Sequence, residues 1–289
     1  MATTEFAPNP FHYRGPIQDH ELFFNRDVDV QKVLERLRKG QSVSVMGRDK
    51  IGKTSFLYYV SHPQVTARHG FTPQKHLFFY VDCKRLADLS TDDCFDQIKA
   101  VMEKTVATWD ACLKLPEGAA CSSTYNWLEQ VFSLFQCADI QLVVQLDDFD
   151  CLATSGLRLR LLYNLRALVA VHKTMAYLTT SKVSLGELQN NVPAIAGSPF
   201  FNIFWPYKLR PFGPGEVRRF LMTRLRSVEA DFPESILKFI SELGQDGPYE
   251  LQLAGACAYD VWCQNAGNLC RDHCGEVKRR FNDVLQSPS

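Results

Sequence analysis

Hydrophobic residues in the first part of the chain follow a helical spacing and then a strand-like run. Within residues 27–39 the apolar positions recur every three or four residues, and the basic pair before Gly40 is typical of a helix end. These apolar positions are Val30, Val33, Leu34 and Leu37. Residues 42–46 carry valine at alternate positions and end at Met46, which indicates a strand. The pattern predicts a helix that leads into a first strand, with another helix over residues 54–61.

The next part of the chain alternates between strand-like and helix-like segments. Apolar runs typical of strands occupy residues 76–81, 140–146 and 175–180. Helical spacing is found in residues 91–112, 122–137 and 157–171. Strands that alternate with helices predict a mainly parallel sheet covered on both faces, which is a three-layer α/β core. Residues 183–207 contain Gly, Pro and Asn and are predicted to be mostly loop.

After residue 211 the pattern changes to helices with no strand between them. Helical spacing recurs over residues 214–227, 233–243, 248–265 and 268–285. We therefore predict a small all-helical subdomain over residues 211–289, after an α/β core over residues 21–210. Residues 1–20 contain several prolines and little periodicity, so they are predicted to be an extended N-terminal arm.

Charge and hydropathy limit the classes of partner. The 32 basic and 32 acidic residues give a formal net charge of zero, so net charge does not indicate nucleic acid as a partner. The longest apolar stretches are too short to span a bilayer, and the first residues lack the basic and apolar regions of a signal peptide. No membrane association is predicted, and the expected location is the cytoplasm.

Ten cysteines are scattered along the chain without a C-x-x-C pair. Several fall in apolar runs, so we interpret them as buried free thiols, which suit a reducing compartment. The spacing most like a metal site is that of Cys263, Cys270, His273 and Cys274. Zinc at that place is the minor alternative, because a closed zinc site needs four ligands in tetrahedral geometry.

A glycine-rich motif between the first strand and the next helix is the main chemical signal. It comprises Gly47, Arg48, Asp49, Lys50, Ile51, Gly52, Lys53 and Thr54, and Ser55 follows it. In the pattern G-x-x-x-x-G-K-[ST], glycine lets backbone N–H groups converge on phosphate oxygens at a helix N-terminus. Lys53 is predicted to reach the β- and γ-phosphates, and the Thr54 hydroxyl to hold Mg²⁺. The strand before the motif and the helix after it provide the required context.

A second signal lies at the end of the strand over residues 140–146. The apolar run delivers Asp147 and Asp148 at its carboxyl end, where ligands bind in open α/β sheets. Asp147 is predicted to hold Mg²⁺ together with Thr54, and Asp148 to orient or deprotonate the attacking water. In isolation such residues are a solvated acidic turn, and the glycine-rich motif is what favours the catalytic interpretation.

Two weaker candidates are polar groups near the same edge. Thr180 or Ser181 at the end of another strand would sense the γ-phosphate, or would simply form a turn or helix cap. Arg158, Arg160 and Arg166 would supply charge to the transition state, although a solvated helix face is the simpler interpretation.

Four blocks of sequence resemble the AAA-like P-loop ATPases of the STAND class, akin to prokaryotic signal-transduction ATPases and archaeal-type ATPases. The blocks are residues 23–27, 47–55, 146–150 and 245–255. The resemblance implies a helical lid that clasps ATP against the core, with Asn25 and Arg26 near the adenine and Pro248 against the base. The chain has Asn25 where the family has glycine, and Gln245 and Asp246 where it has paired glycines.

The resemblance implies an ATPase, with slow hydrolysis, that acts as a nucleotide-dependent conformational switch in signal transduction. ATP and Mg²⁺ are the expected ligands, and a protein partner or self-association is expected as well. The alternatives are an oligomeric AAA+ ATPase that remodels protein or DNA, and a nucleotide-binding module without turnover. A small-molecule kinase is a weaker rival, because no acceptor-binding segment is evident. Adenine is favoured over guanine mostly by the resemblance.

Overall fold

A computed structural model describes residues 6–109, 113–116, 121–154, 159–191, 199–245 and 247–287. By the packing of its residues the chain divides into two compact units. The core unit consists of Arg26–Arg48 and Lys53–Leu209. The helical unit consists of Met1–Asn25, Asp49–Gly52 and Arg210–Ser289. In the part of the chain that the structure describes, no helix is long and apolar enough to cross a bilayer.

A parallel sheet forms the centre of the core unit. Its strands are β1 Ser42–Met46, β2 His76–Asp82, β3 Gln141–Asp147, β4 Met175–Ser181 and β5 Phe204–Lys208. The strand order is β2-β3-β4-β1-β5, and every pairing is parallel. In this register Asp82 lies opposite Asp147, and Met46 lies opposite Ser181. The carboxyl ends of neighbouring strands therefore meet at one edge of the sheet, which places the acidic end of β3 beside β4 and β2.

Eight helices of the described chain belong to the core unit. They are α1 Asp27–Arg38, α2 Lys53–Ser61, α3 Pro63–Arg68, α4 Thr91–Ala107, α5 Thr124–Cys137, α6 Asp150–Thr154, α7 Leu159–Val171 and α8 Leu185–Asn191. Their starts follow local capping rules: the Ser90 hydroxyl accepts a hydrogen bond from the backbone N–H of Asp93 and begins α4. The predicted three-layer α/β arrangement is confirmed.

The burial of the strands in the core of this unit explains why their sequences show strand patterns. Strand β4 is buried along its whole length, as expected for a strand covered on both faces. Strand β2 alternates between buried and partly exposed residues and presents Leu77, Phe79 and Val81 to the core. Trp127 and Phe135 of α5 pack into the same cluster and are about 1% exposed. Such burial of large side chains is the main stabilising contribution in a parallel α/β core.

The prediction that residues 183–207 are mostly loop is wrong. This segment contains α8, a short 3-10 helix at Pro199–Ile203 and the edge strand β5, while residues 192–198 lie outside the described part. Pro206 breaks the strand pattern in the sequence, but an edge strand tolerates proline because one side of its backbone needs no partner. The side chain of Trp205 is covered by the Arg36 guanidinium, 4.7 Å from the ring centroid.

Several helix boundaries also differ from the prediction. Helix α4 ends at Ala107, earlier than the predicted residue 112, and residues 110–112 lie outside the described part. The helix predicted over residues 268–285 is observed over Cys274–Gln286, after a 3-10 turn at Arg271–His273. The short helix α3 was not predicted, because its six residues are too few to show a period.

The helical unit contains four of the described helices. They are α9 Pro214–Arg226, α10 Glu234–Leu243, α11 Pro248–Gln264 and α12 Cys274–Gln286. Proline occupies the first turn of α9 and α11, where its missing N–H has no partner to lose. Helix α11 is buried over most of its length, which makes it the centre of this unit. The absence of strands in the described part of 211–287 agrees with the helical pattern of the sequence.

The described part of the N-terminal arm packs on α11. The Tyr259 hydroxyl donates to the carbonyl oxygen of Ala7 over 2.8 Å, and the Asn9 amide donates to Asp260 over 2.7 Å. Phe11 is 4% exposed, and its ring lies against Gly255 at a place where a Cβ atom would be 2.4 Å from it. The arm is extended, as its prolines indicate, and these contacts hold it against the helical unit.

Candidate functional site: the glycine-rich loop and the acidic strand end

The glycine-rich loop runs from the end of β1 to the start of α2, as predicted. Strand β1 ends at Met46, and the Gly47 N–H donates to the Ser181 carbonyl oxygen over 3.1 Å, which ties the loop entrance to β4. Lys50 and Gly52 have φ values of 60° and 95°, in the left-handed region that glycine adopts readily. The loop therefore folds tightly before Lys53 begins α2, and a helix N-terminus favours anions.

Lys53 is the loop residue suited to a phosphate. Its side chain is 6% exposed, and its ammonium donates to the Gly47 carbonyl oxygen over 2.8 Å and to that of Arg48 over 3.1 Å. These contacts hold the ammonium beside the loop backbone. A phosphate oxygen arriving at this place would meet a cation that the fold has already positioned.

Asp147 is the most heavily constrained polar group of the site. It is 2% exposed, and three hydroxyl groups donate to its carboxylate. Thr54 and Tyr80 each donate to Oδ2 over 2.8 Å, and Thr180 donates to Oδ1. The donors come from α2, β2 and β4, so three separate elements fix the orientation of this carboxylate.

The pair of Thr54 and Asp147 fits a magnesium ion. A hard cation prefers oxygen ligands, and the Thr54 hydroxyl and the Asp147 carboxylate supply two of them at one place. Their distance of 2.8 Å shows that one small ion, or a water bound to it, can contact both groups. The structure thus brings together the two residues that the sequence assigned to Mg²⁺.

Asp148 lies beside Asp147 but faces a different partner. Its carboxylate Oδ2 is 2.5 Å from the Lys84 ammonium, and its backbone N–H donates to the Thr180 hydroxyl over 2.8 Å. The φ of Asp148 is 49°, in the left-handed region, so the chain turns sharply where β3 ends. The hydrogen bond to Asp148 raises the pKa of Lys84, which stays charged at neutral pH.

The hydroxyls at the end of β4 have partners within the core unit. Thr180 is fully buried, donates to Asp147 and accepts from the Asp148 backbone. The Ser181 hydroxyl donates to the Val183 carbonyl oxygen over 2.6 Å, as in a local turn. The two candidate sensors thus differ, because Thr180 is connected to the acidic strand end and Ser181 is connected to its own loop.

The residues assigned to the adenine side lie in different units. Asn25 and Pro248 belong to the helical unit, and Arg26 begins the core unit. Asn25 has a φ of 54°, a conformation that Asn tolerates better than most residues, which explains how it stands where the resembled motif has glycine. Its amide donates to Glu216 and accepts from Arg219. Arg26 is 8% exposed and pairs with Asp29 over 3.2 Å.

Pro248 is the first residue of α11, and the residue after it contacts the loop. The Lys50 ammonium lies 4.0 Å from the centroid of the Tyr249 ring, a cation–π contact within the helical unit. Gln245, part of the resembled lid motif, lies in a turn and is exposed. Asp246 of that motif lies outside the described residues.

The remaining candidates are surface features or lie outside the described residues. Arg160 is exposed and lies 3.9 Å from Asp92, a separation at which an exposed pair contributes little. Arg166 is partly exposed on α7, and Arg158 lies outside the described residues. In the described part of the chain, no group of three or more His, Cys, Asp or Glu side chains is placed to hold a metal ion, and this applies to the region of Cys270 and His273.

Sequence reasoning missed two residues of the site, Tyr80 and Lys84. Both lie at or just beyond the carboxyl end of β2, which neighbours β3 in the sheet. Burial raises the pKa of Tyr80, and the nearby Asp147 charge adds to the effect, so its hydroxyl remains a donor. The signal for both residues was the strand order, since β2 lies beside β3 and its carboxyl end therefore reaches Asp147 and Asp148.

Comparison with known proteins identifies the fold by structure. A scan against models of protein families gives no match, and a search among curated proteins gives none either. The Walker-type ATPase of Pyrococcus abyssi matches with a TM-score of 0.72 and 17% identity, over 94% of this chain and 75% of that one. The ORC2 protein of Aeropyrum pernix, in ADPNP–ADP complexes, matches with a TM-score of 0.66 and 14% identity, over 98% and 72%.

A bacterial structure shares the same architecture. Domain III of the replication initiation protein DnaA from Thermotoga maritima matches with a TM-score of 0.56 and 14% identity, over 98% of this chain and 100% of that one. At such low identities the likeness establishes the fold. It is a P-loop α/β fold with a parallel five-stranded sheet and a helical C-terminal subdomain.

Proposed function

We propose that this chain binds ATP with Mg²⁺ and hydrolyses it. The observation that carries the proposal is the meeting of Lys53, Thr54 and Asp147 at the carboxyl edge of the parallel sheet. Fold alone would not support it, because many unrelated functions share a fold. A buried carboxylate fixed by three hydroxyls, beside a loop lysine at a helix N-terminus, is suited to a metal-bound phosphate.

The residues of the chain have distinct roles in this proposal. The loop from Gly47 to Ser55 surrounds the phosphates, and Lys53 neutralises negative charge on the β- and γ-phosphates. Thr54 and Asp147 would hold Mg²⁺, which would supply positive charge at the phosphate oxygens. Asp148 accepts a proton from the attacking water or orients it. The Thr180 hydroxyl holds the Asp147 carboxylate and the Asp148 backbone in place through its two hydrogen bonds.

Lys53→Ala tests the proposal directly. We expect the variant to lose binding of a fluorescent ATP analogue by a factor of about 100 or more, because a charge-assisted contact to phosphate is lost. Lys104→Ala is the matched control, since Lys104 is an exposed lysine on α4 outside the site. Equal affinity of Lys53→Ala and the wild type would contradict the proposal. Far-UV circular dichroism of both variants checks that they fold.

The adenine base and the residues near it are part of the proposal. Asn25, Arg26 and Pro248 are assigned to the adenine side on the resemblance of their motifs. Competition of ATP, GTP and CTP against the same fluorescent analogue measures the preference. We expect ATP to compete best, and Pro248→Ala to reduce the ATP preference without loss of triphosphate binding. Equal competition by all three nucleotides would contradict the assignment of these residues to the adenine side.

We further propose that ATP acts as a conformational switch in signal transduction. A ligand shifts a conformational equilibrium only by its different affinity for the two states, so ATP and ADP must favour different conformations. Hydrogen exchange of the protein with ADP and with a non-hydrolysable ATP analogue tests this. Different protection in the two complexes would support the switch, and identical protection would contradict it.

A second candidate is an oligomeric AAA+ ATPase acting on protein or DNA. It is favoured by the similarity in fold to proteins described as ORC and DnaA, one of them an ORC1 protein in complex with DNA. Such an assembly would need an arginine from a neighbouring subunit at the γ-phosphate. ATP-dependent assembly in light scattering, with turnover per chain that rises with protein concentration, would favour this candidate over a monomeric switch.

We place this activity in a reducing compartment such as the cytoplasm. The nine cysteines described by the structure are all free thiols, as such a compartment permits, and Cys112 lies outside the described residues. Burial raises the pKa of Cys83 well above its usual range, so this thiol next to the acidic site stays protonated and unreactive.

A further inference from the structure

A cavity of about 500 Å³ lies in the core unit at the amino ends of the strands. It is lined by connections that lead into four adjacent strands, β2, β3, β4 and β1. The glycine-rich loop and Asp147 lie at the carboxyl ends of the same strands. Because these strands have five to seven residues, roughly 16–23 Å of sheet separates the two edges. The cavity is therefore distinct from the proposed ATP site.

Four cations line this cavity, although the whole chain has a net charge of zero. Arg38 and Lys39 lie at the end of α1, Lys75 precedes β2, and Lys173 precedes β4. All four are exposed to solvent. Each connection reaches the cavity because parallel strands place their amino ends at one edge, so residues distant in sequence form one positive surface.

Few negative groups oppose these cations. Asp139 is the only carboxylate among the described lining residues, and it pairs with Lys75 over 3.2 Å. Among the described residues, Arg38, Lys39 and Lys173 form no ion pair with a carboxylate. Helices α1, α5 and α7 end nearby, and each end carries roughly half a negative charge. The positive charge of the four cations exceeds the negative charge of Asp139 and the three helix ends, so the net charge around the cavity is positive.

The backbone of the cavity wall is defined by tight turns. Asp139 and Gly40 have φ values of 54° and 72°, in the left-handed region. A Cβ atom at Gly40 would lie 3.3 Å from the Lys173 carbonyl oxygen, so the connections into β1 and β4 pass close to each other. Thr174 and Gln141 add polar groups, and burial lowers the pKa of His76, which therefore adds no charge at neutral pH.

The volume and the lining residues of the cavity indicate which class of anion it can bind. Its volume lies in the range of small-ligand sites. Nucleic acid would require a longer row of cations along the phosphate backbone, or aromatic platforms for bases, and His76 is the only aromatic residue among the described lining residues. We propose that this cavity binds a small ligand with two or more clustered phosphate groups, at a second anion site separate from the glycine-rich loop.

Binding of inorganic tripolyphosphate tests the proposal, and isothermal calorimetry gives the number of sites. The wild type is expected to bind two molecules per chain, one at each edge of the sheet. Lys39→Gln/Lys173→Gln is expected to keep one site and to weaken the other at least about tenfold, because two of four cations are removed. Lys53→Ala is expected to keep the cavity site and to weaken the loop site. Because each variant weakens a different site, the experiment distinguishes an incorrect proposal for the cavity from an incorrect proposal for the ATP site.

Lys104→Gln/Lys238→Gln is the matched control. It removes the same charge from exposed lysines on α4 and α10 that do not line the cavity. We expect it to bind tripolyphosphate as the wild type does. Equal binding by the cavity variant and this control would overturn the proposal. The proposal would also be overturned if a short DNA bound more tightly than tripolyphosphate and if the cavity variant alone lost this binding. That result would assign the surface to nucleic acid.

Discussion

The Thr54 hydroxyl donates a hydrogen bond to Asp147 Oδ2 over 2.8 Å, although the two residues are 93 positions apart in the sequence. The contact joins the start of α2 to the end of β3. It arises because β3 ends, and α2 begins, at the carboxyl edge of one parallel sheet. The two oxygen atoms lie close enough for the proposed magnesium ion to contact both of them.

Asp147→Asn tests the role of this contact in metal binding. The amide keeps the shape of the side chain but loses the charge, so we expect the Mg²⁺ dependence of ATP affinity to disappear. Hydrolysis should fall about 100-fold or more, because charge stabilisation in the transition state is lost. ATP affinity is measured with Mg²⁺ and with EDTA. A variant whose affinity still responds to Mg²⁺ as the wild type does would exclude Asp147 as a ligand.

The pair of Lys84 and Asp148 suggests a restraint on catalysis. Their charged atoms are 2.5 Å apart, and Lys84 is more exposed than Asp148. The ammonium lies against Oδ2, which is one of the two carboxylate oxygens of Asp148 that could contact the attacking water. We expect Lys84→Met to raise the hydrolysis rate a few-fold while ATP affinity changes little, and Asp148→Asn to abolish hydrolysis in either background.

Phosphate release under saturating ATP measures these rates. Lys104→Met is the control for loss of an exposed lysine. If Lys84→Met lowers the rate, then Lys84 assists catalysis and does not restrain it. If Asp148→Asn hydrolyses ATP normally, Asp148 has no role in proton transfer, and the ion pair is only structural.

The Tyr80 hydroxyl makes stability depend on pH in the alkaline range. Burial, aided by the Asp147 charge, raises its pKa above the ordinary value of 10.0. Above pH 10 the unfolded chain loses this proton while the folded chain keeps it, so the free energy of unfolding falls as pH rises. One such group contributes a slope of at most about 1.4 kcal/mol per pH unit.

Tyr80→Phe is therefore expected to show a shallower loss of stability above pH 10. At neutral pH it should be destabilised by about 1 kcal/mol, because a hydrogen bond to Asp147 is lost. Tyr163→Phe is the control, since Tyr163 is 49% exposed on α7. Urea unfolding at a series of pH values gives the slopes. Parallel curves for Tyr80→Phe and the wild type would show that Tyr80 does not titrate as described.

Local patterns predicted the part of the fold that depends on neighbouring residues in sequence. Strand β1 was predicted at its observed bounds, because valines at alternate positions followed by a glycine-rich loop are a local signal. Strand β5 was missed, because Pro206 interrupts its pattern and an edge strand lacks a continuous apolar run. The positions of the loop, between β1 and α2, and of Asp147, at the end of β3, were likewise predicted from local patterns.

The rest of the site depends on which strands are neighbours. Tyr80 reaches Asp147 only because β2 pairs with β3, and Thr180 does so only because β4 lies on the other side. A sequence with alternating strands and helices predicts a parallel sheet but permits several strand orders. The basic cavity at the opposite edge could not be predicted for the same reason. Its cations come from three separate connections, which only the strand order brings together.

Gly255→Ala tests how the N-terminal arm is held in the helical unit. A Cβ atom at this position would lie 2.4 Å from the Phe11 ring, so the ring or the helix must move. Overpacking of this kind costs about 1–3 kcal/mol, more than the roughly 1 kcal/mol that alanine gains over glycine in a helix. Gly275→Ala in α12 is the control, because no atom lies within 4 Å of its added Cβ, and it should not lose stability. Urea unfolding measures both variants. Adding Phe11→Leu to Gly255→Ala should restore part of the loss, and equal stability of Gly255→Ala and the wild type would show that Phe11 does not pack there.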